Sequence, residues 1–354
     1  MPAVARLRVG VLGATGMVGQ RFVSLLQDHP RFDLVAAYAS DRSEGRTVSA
    51  TWRLHDAPLY DGVGELVLRE GSLGNLRADR LDLVFSALPA AVAKDLEAAI
   101  AAAGIPVFSN ASSHRMESRV PLLIPEVNPE HLSLLDGSGR GFLVTNPNCT
   151  TTGLALVLHA LGRAVRFRRV FVATYQALSG AGFDGPSGID VSGNVLPHIA
   201  SEEEKVFAEP RKILGQLGDG GVVPADISVY AHCARVPVRD GYLEAVTVEC
   251  DDAPDLTAVE RALATFTAIP QSKSLPTAPT APILVRTEPD RPQPLLDVNA
   301  GTPARARGMA VTVGRLRSDD HVLRLYLLVH NTIRGGAGGS LLNAELADAL
   351  GYLG

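Results

Sequence analysis

Arg6-Leu7-Arg8-Val9-Gly10-Val11-Leu12 is a short apolar strand that runs without a linker into Gly13-Ala14-Thr15-Gly16-Met17-Val18-Gly19-Gln20-Arg21-Phe22, which opens a helix. Glycines at 13, 16 and 19 let the backbone turn tightly, let a pyrophosphate approach the helix N-terminus and let helix pack on strand. The spacing is GxxGxxG, and with a strand before it and a helix after it, it reads as the first turn of a dinucleotide-binding fold. Gly13, Thr15, Gly16, Met17, Val18 and Gly19 are therefore candidate cofactor contacts.

The chain continues the same alternation. Leu34 to Ala39 reads as a second parallel strand, Leu81 to Pro89 as another, Ala90 to Ala103 as an Ala-rich helix and Pro106 to Ser109 as a further strand. Alternating strand and helix means a doubly wound α/β layer. The second strand ends in Ser40-Asp41-Arg42-Ser43-Glu44-Gly45-Arg46, where cofactor choice is made. Arg and Ser accommodate a 2′-phosphate and an acidic residue holds a free ribose. Ser40, Arg42 and Ser43 thus favour NADP, while Asp41 leaves NAD open. Past the strand at 106–109, Arg115 is a candidate anion clamp.

Asn146-Pro147-Asn148-Cys149-Thr150-Thr151-Thr152-Gly153 places a thiol at a helix start. Thr150 to Thr152 are expected to cap a helix over 152–162, and the dipole and unpaired N–H groups there are expected to lower the Cys149 pKa and expose thiolate. The bland alternative is a small buried hydrophobe. Beyond it, Arg169 to Leu178 alternates like a strand of a largely antiparallel sheet, so a second, α+β domain begins. Ser179-Gly180-Ala181-Gly182 is a flexible loop, and Glu202 and Lys205 lie one turn apart on a helix, a spacing usually seen in a solvated ion pair. Strands follow at 227–233, 243–248 and 323–329, with a Pro-rich passage at 270–303 read as loop with short extended pieces. A Gly-rich segment after His330 leads into a last helix from about Ser340 to Leu350. That helix is expected to fold back on the first domain, giving a Rossmann domain of residues 1–148 and 331–354 and a catalytic domain of 149–330.

Composition removes several classes. A net charge of −5 and 5% aromatic residues argue against a nucleic-acid partner. No stretch reaches the length of a membrane span. Cys149, Cys233 and Cys250 are too widely spaced for a disulfide framework or a zinc site, so no metal and a reducing, cytoplasmic compartment are expected.

Taken together the chain resembles the aspartate-β-semialdehyde dehydrogenase family, in its archaeal and fungal branch. The resemblance rests on Gly13 to Gly19, Ser112-Ser113-His114-Arg115-Met116, Val120 to Glu126, Asn146 to Thr150, Gln176 to Gly182, Glu202 to Lys205, Arg235-Val236-Pro237-Val238 and Asn331-Thr332-Ile333-Arg334-Gly335. It implies NADPH-dependent reductive dephosphorylation of β-aspartyl phosphate, with Cys149 as the nucleophile that forms a thioester and Gln176 orienting it. It further implies Arg235 on the substrate α-carboxylate, Glu202 on the amino group, and Arg115, Asn148 and Lys205 on the phosphate. Ser179, Gly180, Gly182 and Asn331 would lie near the nicotinamide. A homodimer or homotetramer is implied as well.

One central position departs from the family pattern: Tyr242 stands where the family has its acid/base histidine. An imidazole with a pKa of about 6.5 exchanges protons with a thiol, whereas a phenol of about 10 donates but hardly accepts. His232 precedes Arg235 by three strand residues and need not face the same way. Two alternatives follow: a paralogous acyl-phosphate or acyl-CoA reductase with another substrate, or a catalytically impaired nucleotide-binding or regulatory homologue.

Overall fold

The computed structural model describes residues 5–135 and 141–353. Six strands, β1 (Leu7–Leu12), β2 (Phe32–Ala39), β3 (Arg69–Glu70), β4 (Leu83–Ser86), β5 (Val107–Ser109) and β6 (Leu143–Thr145), form a parallel sheet in the order β3-β2-β1-β4-β5-β6. This is the doubly wound Rossmann order, with the ligand crevice at the carboxyl end of the central strand. Alternate residues of each strand feed opposite faces. On one face Val9, Val11, Phe32, Phe85 and Phe108 pack against the Met17–Leu26 helix and the Gly338–Ala349 helix. On the other, Leu12, Tyr38, Val84 and Val107 meet Ile100 of the Ala90–Ala102 helix.

A second sheet carries β7 (Phe167–Gln176), β10 (Ser228–Arg235), β11 (Tyr242–Cys250), β12 (Ile283–Arg286), β13 (Val311–Asp319) and β14 (Val322–Val329), in the order β10-β7-β11-β14-β13-β12. Strands β8 (Gln216–Gly218) and β9 (Gly221–Val223) form a separate hairpin. Pairings β7–β11, β11–β14 and β13–β14 are antiparallel, whereas β7–β10 and β12–β13 are parallel, so the sheet is mixed. One face is covered by the Cys149–Leu161, Glu202–Ile213 and Leu256–Ala264 helices through Leu154, Val206, Ile213, Val259 and Leu263. The other bears large side chains in the open: Phe171 and Tyr175 are 40% exposed and Tyr230 50%. Phe171 and Tyr230 stack with ring centroids 5.2 Å apart.

The chain crosses between the sheets twice, at 146–149 and at 330–337, and the two crossings touch. A Cβ on Gly335 would lie 2.6 Å from that of Cys149, so only glycine permits the approach. The Asn146 amide donates to the Gly335 carbonyl at 3.3 Å. Beside them Arg334, 1% exposed, pairs bidentately with buried Glu126 at 2.8 and 2.7 Å.

The helix carrying the thiol starts earlier than its sequence suggests. Asn148 is the cap, its Oδ1 accepting from the backbone N–H of Thr150 and Thr151 at 2.9 and 3.2 Å, and Cys149 is the first helical residue. The threonines are buried in the first turn, because Asn at 148 is already an apt cap. The Pro-rich passage holds two short helices, Ile269–Ser272 and Pro294–Asp297, besides the extended β12. Among the described residues no helix is long and apolar enough to cross a membrane, and no group of three or more His, Cys, Asp or Glu is placed to hold a metal.

Candidate active site

Three adjacent strand ends meet the helix start at Cys149. Gln176 at the end of β7 is in register with Arg235 on β10 and with Tyr242 on β11. All three side chains are buried, and with Cys149 they line one cavity of about 620 Å³. Gly16, Met17 and Val18 of the first turn line the same cavity, as do Ser179, Gly180, Gly182, Arg115, Asn148, Glu202, Lys205 and Asn331. Sequence-distant candidates thus converge on one space.

Glu202 is the hub of the polar network. Its carboxylate accepts from Asn148 Nδ2 at 3.0 Å, Gln176 Nε2 at 3.0 Å and Thr150 Oγ1 at 3.2 Å, with Lys205 Nζ 3.9 Å away. The pair expected to be solvated is therefore half buried, because the helix turns Glu202 into the site while Lys205 stays partly exposed. Gln176 spends its Nε2 on Glu202, Thr150 and Thr174, and its Oε1 meets no protein donor among the described residues. Arg235 Nη1 donates to the Ala177 carbonyl at 2.8 Å and to the Tyr242 hydroxyl at 3.2 Å. Asn331 ties the loop down, donating to Ser179 Oγ at 2.8 Å and accepting from Gly241 N–H at 2.8 Å.

Arg115 is held by Glu209 at 2.9 Å and by the Asn110 carbonyl at 2.7 Å. Glu209 also accepts from the Asn148 N–H at 2.7 Å, and Lys212 anchors the Arg115 loop by donating to the carbonyls of Arg115, Glu117 and Val120 at 2.7, 2.7 and 2.8 Å. Burial brings Lys212 down to about 8. Neither Glu209 nor Lys212 stood out in the sequence. Their signal was the 202, 205, 209, 212 spacing, which sets all four on one helix face.

The thiol's chemistry differs from the expectation. Burial, then the Glu202 carboxylate, pushes the Cys149 pKa up to about 12, against the pull of the Tyr242 hydroxyl, Arg115 and Arg235. The resting group is a thiol. The physical reason is burial of the sulfur beside the Glu202 carboxylate, which outweighs the helix start. Burial likewise holds the Tyr242 hydroxyl well above the usual phenol range, with Arg235 opposing. Among the described residues, the cavity lining contains no histidine. His232 is exposed, its side chain on the strand face opposite to Arg235. His114 is bound to Glu117 at 2.6 Å.

The cofactor turn fits a dinucleotide. Gly13 has φ +73°, a Cβ on Gly19 would lie 2.0 Å from the Gly13 carbonyl oxygen, and Gly16 caps the helix with no side chain over its N–H groups. A second cavity of about 520 Å³ continues from it, lined by Thr15, Ser43, Arg46, Trp52, Arg53 and Phe183 among others. Arg53 stacks 4.1 Å over the Phe183 ring. Ser40 and Arg42 are exposed and do not line it, so the cations beside Ser43 are Arg46 and Arg53. The Ser43 N–H donates to the Ser40 carbonyl at 2.9 Å, closing a tight turn there.

Comparison with known proteins agrees with this geometry. The family model for the semialdehyde dehydrogenase NAD binding domain matches residues 8–135, and that for the semialdehyde dehydrogenase dimerisation domain matches 158–334. The aspartate-semialdehyde dehydrogenase of Methanothermobacter thermautotrophicus is 46% identical over 97% of this chain and 99% of its own. That of Cryptococcus neoformans is 40% identical over 98% of each. Among solved structures, aspartate semialdehyde dehydrogenase with NADP from Candida albicans superposes with a TM-score of 0.88 at 36% identity, covering 98% of this chain and 100% of that one.

Proposed function

Because this chain belongs to the aspartate-semialdehyde dehydrogenase family, we propose that it converts β-aspartyl phosphate to aspartate semialdehyde with NADPH, releasing phosphate. The single observation that supports this most is the shared cavity: the dinucleotide turn and the Cys149 thiol open onto one space. Bound NADPH supplies a hydride. The chain's own groups do the rest. Cys149 forms a thioester with the β-acyl group as phosphate departs, and Gln176, whose Nε2 is the side chain's donor, orients the thioester carbonyl. Arg235, engaged only through Nη1, offers its remaining N–H groups to the α-carboxylate. Glu202 faces the ammonium, and Arg115, Asn148 and Lys205 serve the phosphate. Ser43 with Arg46 and Arg53 receives the 2′-phosphate.

In this reading residues 1–148 and 331–354 form the NADP-binding domain and 149–330 the catalytic and dimerisation domain. Residues 1–4, 136–140 and 354 of those spans lie outside the described residues. The open aromatic face of the second sheet pairs with a second copy, the simplest cover for Phe171, Tyr175 and Tyr230. Light scattering then gives at least a dimer mass, and Tyr230→Glu with Phe171→Glu reduces it to the monomer; an unchanged mass would assign the face another role. A small-molecule reaction and three free thiols suit the cytoplasm.

The activity is tested in reverse. NADP⁺ reduction should require both aspartate semialdehyde and phosphate. Reduction that proceeds without phosphate, or with coenzyme A in its place, would reject the acyl-phosphate reading in favour of a paralogous substrate.

A further inference from the structure

The thioester step releases a proton from sulfur and needs one on the departing phosphate, yet the cavity offers no imidazole to carry it. What stands beside the sulfur is a phenol. The Tyr242 side chain lines the same cavity as the Cys149 thiol, and its hydroxyl accepts an N–H from Arg235 at 3.2 Å. Space for it is built in: a Cβ on Gly180 would fall 1.6 Å from the Tyr242 oxygen, so any other residue at 180 would displace the ring or the loop. The ring is 1% exposed and fixed by pairing of Tyr242 with Gln176 and Val329 on the flanking strands.

We propose that Tyr242 is the proton carrier of this site, a relay that returns to its starting state within the acyl-transfer step and needs no separate base. The sulfur–carbon bond forms and the carbon–oxygen bond to phosphate breaks. The thiol proton passes to the phenol oxygen while the phenol proton passes to the phosphate oxygen that leaves. An acyl phosphate dianion and a thiol become a thioester and hydrogen phosphate dianion, so protons and charge balance with nothing added. Arg235, donating to the phenol oxygen, opposes the upward push of burial on that proton and so favours its release as the thiol's arrives. A resting thiol is what such a relay requires, and the raised Cys149 pKa supplies it.

The inference rests on the acyl-phosphate reading above and gives the pH dependence a shape. The groups that face the pair are Arg115 from the 110–116 loop, Glu202 and Lys205 from the Glu202–Ile213 helix, Arg235 from β10 and Glu244 from the same face of β11. His330 follows β14 and is lowered to about 4 by burial first and Arg21 next, so it stays neutral through the physiological range. Glu244 is buried and held well above the carboxylate range by burial and then Glu202. His330 therefore supplies no limb near that of a free imidazole.

The test measures reverse kcat at saturating phosphate for the natural chain, Tyr242→Phe and Tyr242→His between pH ~6 and ~8. The natural chain is expected to be flat. Tyr242→His should lose activity on the acid side with a midpoint of about 6.5, and Tyr242→Phe should fall ~10²–10⁴-fold in kcat with little change in semialdehyde KM. A second arm does not depend on the substrate: iodoacetamide alkylation of Cys149 at a fixed pH should slow about tenfold or more in Tyr242→Phe, because the donor to the thiolate is gone. Wild-type kcat in Tyr242→Phe, an imidazole-like limb in the natural chain, or unchanged alkylation would each overturn the relay. A natural chain silent towards aspartate semialdehyde but slowed in alkylation by Tyr242→Phe would instead remove the substrate reading and leave the phenol–thiol pair standing.

Discussion

Cys149→Ala removes turnover by on the order of 10⁴–10⁶-fold, as loss of a covalent nucleophile does elsewhere, while NADP⁺ binding and thermal midpoint stay close to those of the natural chain. Only sulfur is deleted, and the cap bonds from the Thr150 and Thr151 N–H groups to Asn148 do not involve it. Asn148 still caps the helix, Glu202 still gathers Asn148, Thr150 and Gln176, and the dinucleotide turn lies on other elements. Titration calorimetry with NADP⁺ and the reverse assay measure the two properties separately. Retention of more than about 1% of the rate would mean that hydride transfer proceeds without a thioester, and the assignment of Cys149 would fall.

Arg334→Met has the largest expected effect on stability, about 3–5 kcal/mol. The guanidinium and the Glu126 carboxylate are both buried and joined by two charge-assisted hydrogen bonds of 2.8 and 2.7 Å. Removing one partner strands the other charge in a low-dielectric interior, which costs more than the pair contributes. Pairing Arg334→Met with Glu126→Leu should therefore recover most of the loss. Urea unfolding of the two single variants and the double variant forms a cycle, and a double variant as unstable as the sum of the singles would show that the two charges act independently. Arg334 precedes Gly335, which touches Cys149, so the single variant should also lose activity at temperatures where the chain remains folded.

What the sequence makes legible follows range. Gly16 and Gly19 both close on Gly13 within seven residues of chain, so the strand-turn-helix and the alternation after it are readable locally. The strands at 32–39, 167–176 and 322–329 announce themselves by length and apolar content. Features set by distant partners were hidden. Arg46 and Arg53 line the cavity beside Ser43 and Arg42 does not, a distinction the local composition does not record. The Cys149 pKa was misjudged in direction, since helix position alone favours thiolate while burial and Glu202, 53 residues later, oppose it. Glu126, Glu209 and Lys212 act through partners far along the chain, and only the helical spacing of the last two carried a trace.

The contact between the two crossings, Gly335 against Cys149, sets the timing of the site's birth. During synthesis the thiol and the strands that surround it emerge long before residues 333–349, whose Leu341, Leu342 and Leu346 complete one face of the first sheet. A growing chain therefore carries Cys149 with neither its backing loop nor a closed core beneath the cofactor turn. The site cannot form piecemeal, because the backing of the Cys149 thiol is completed only after residues 333–349 have emerged.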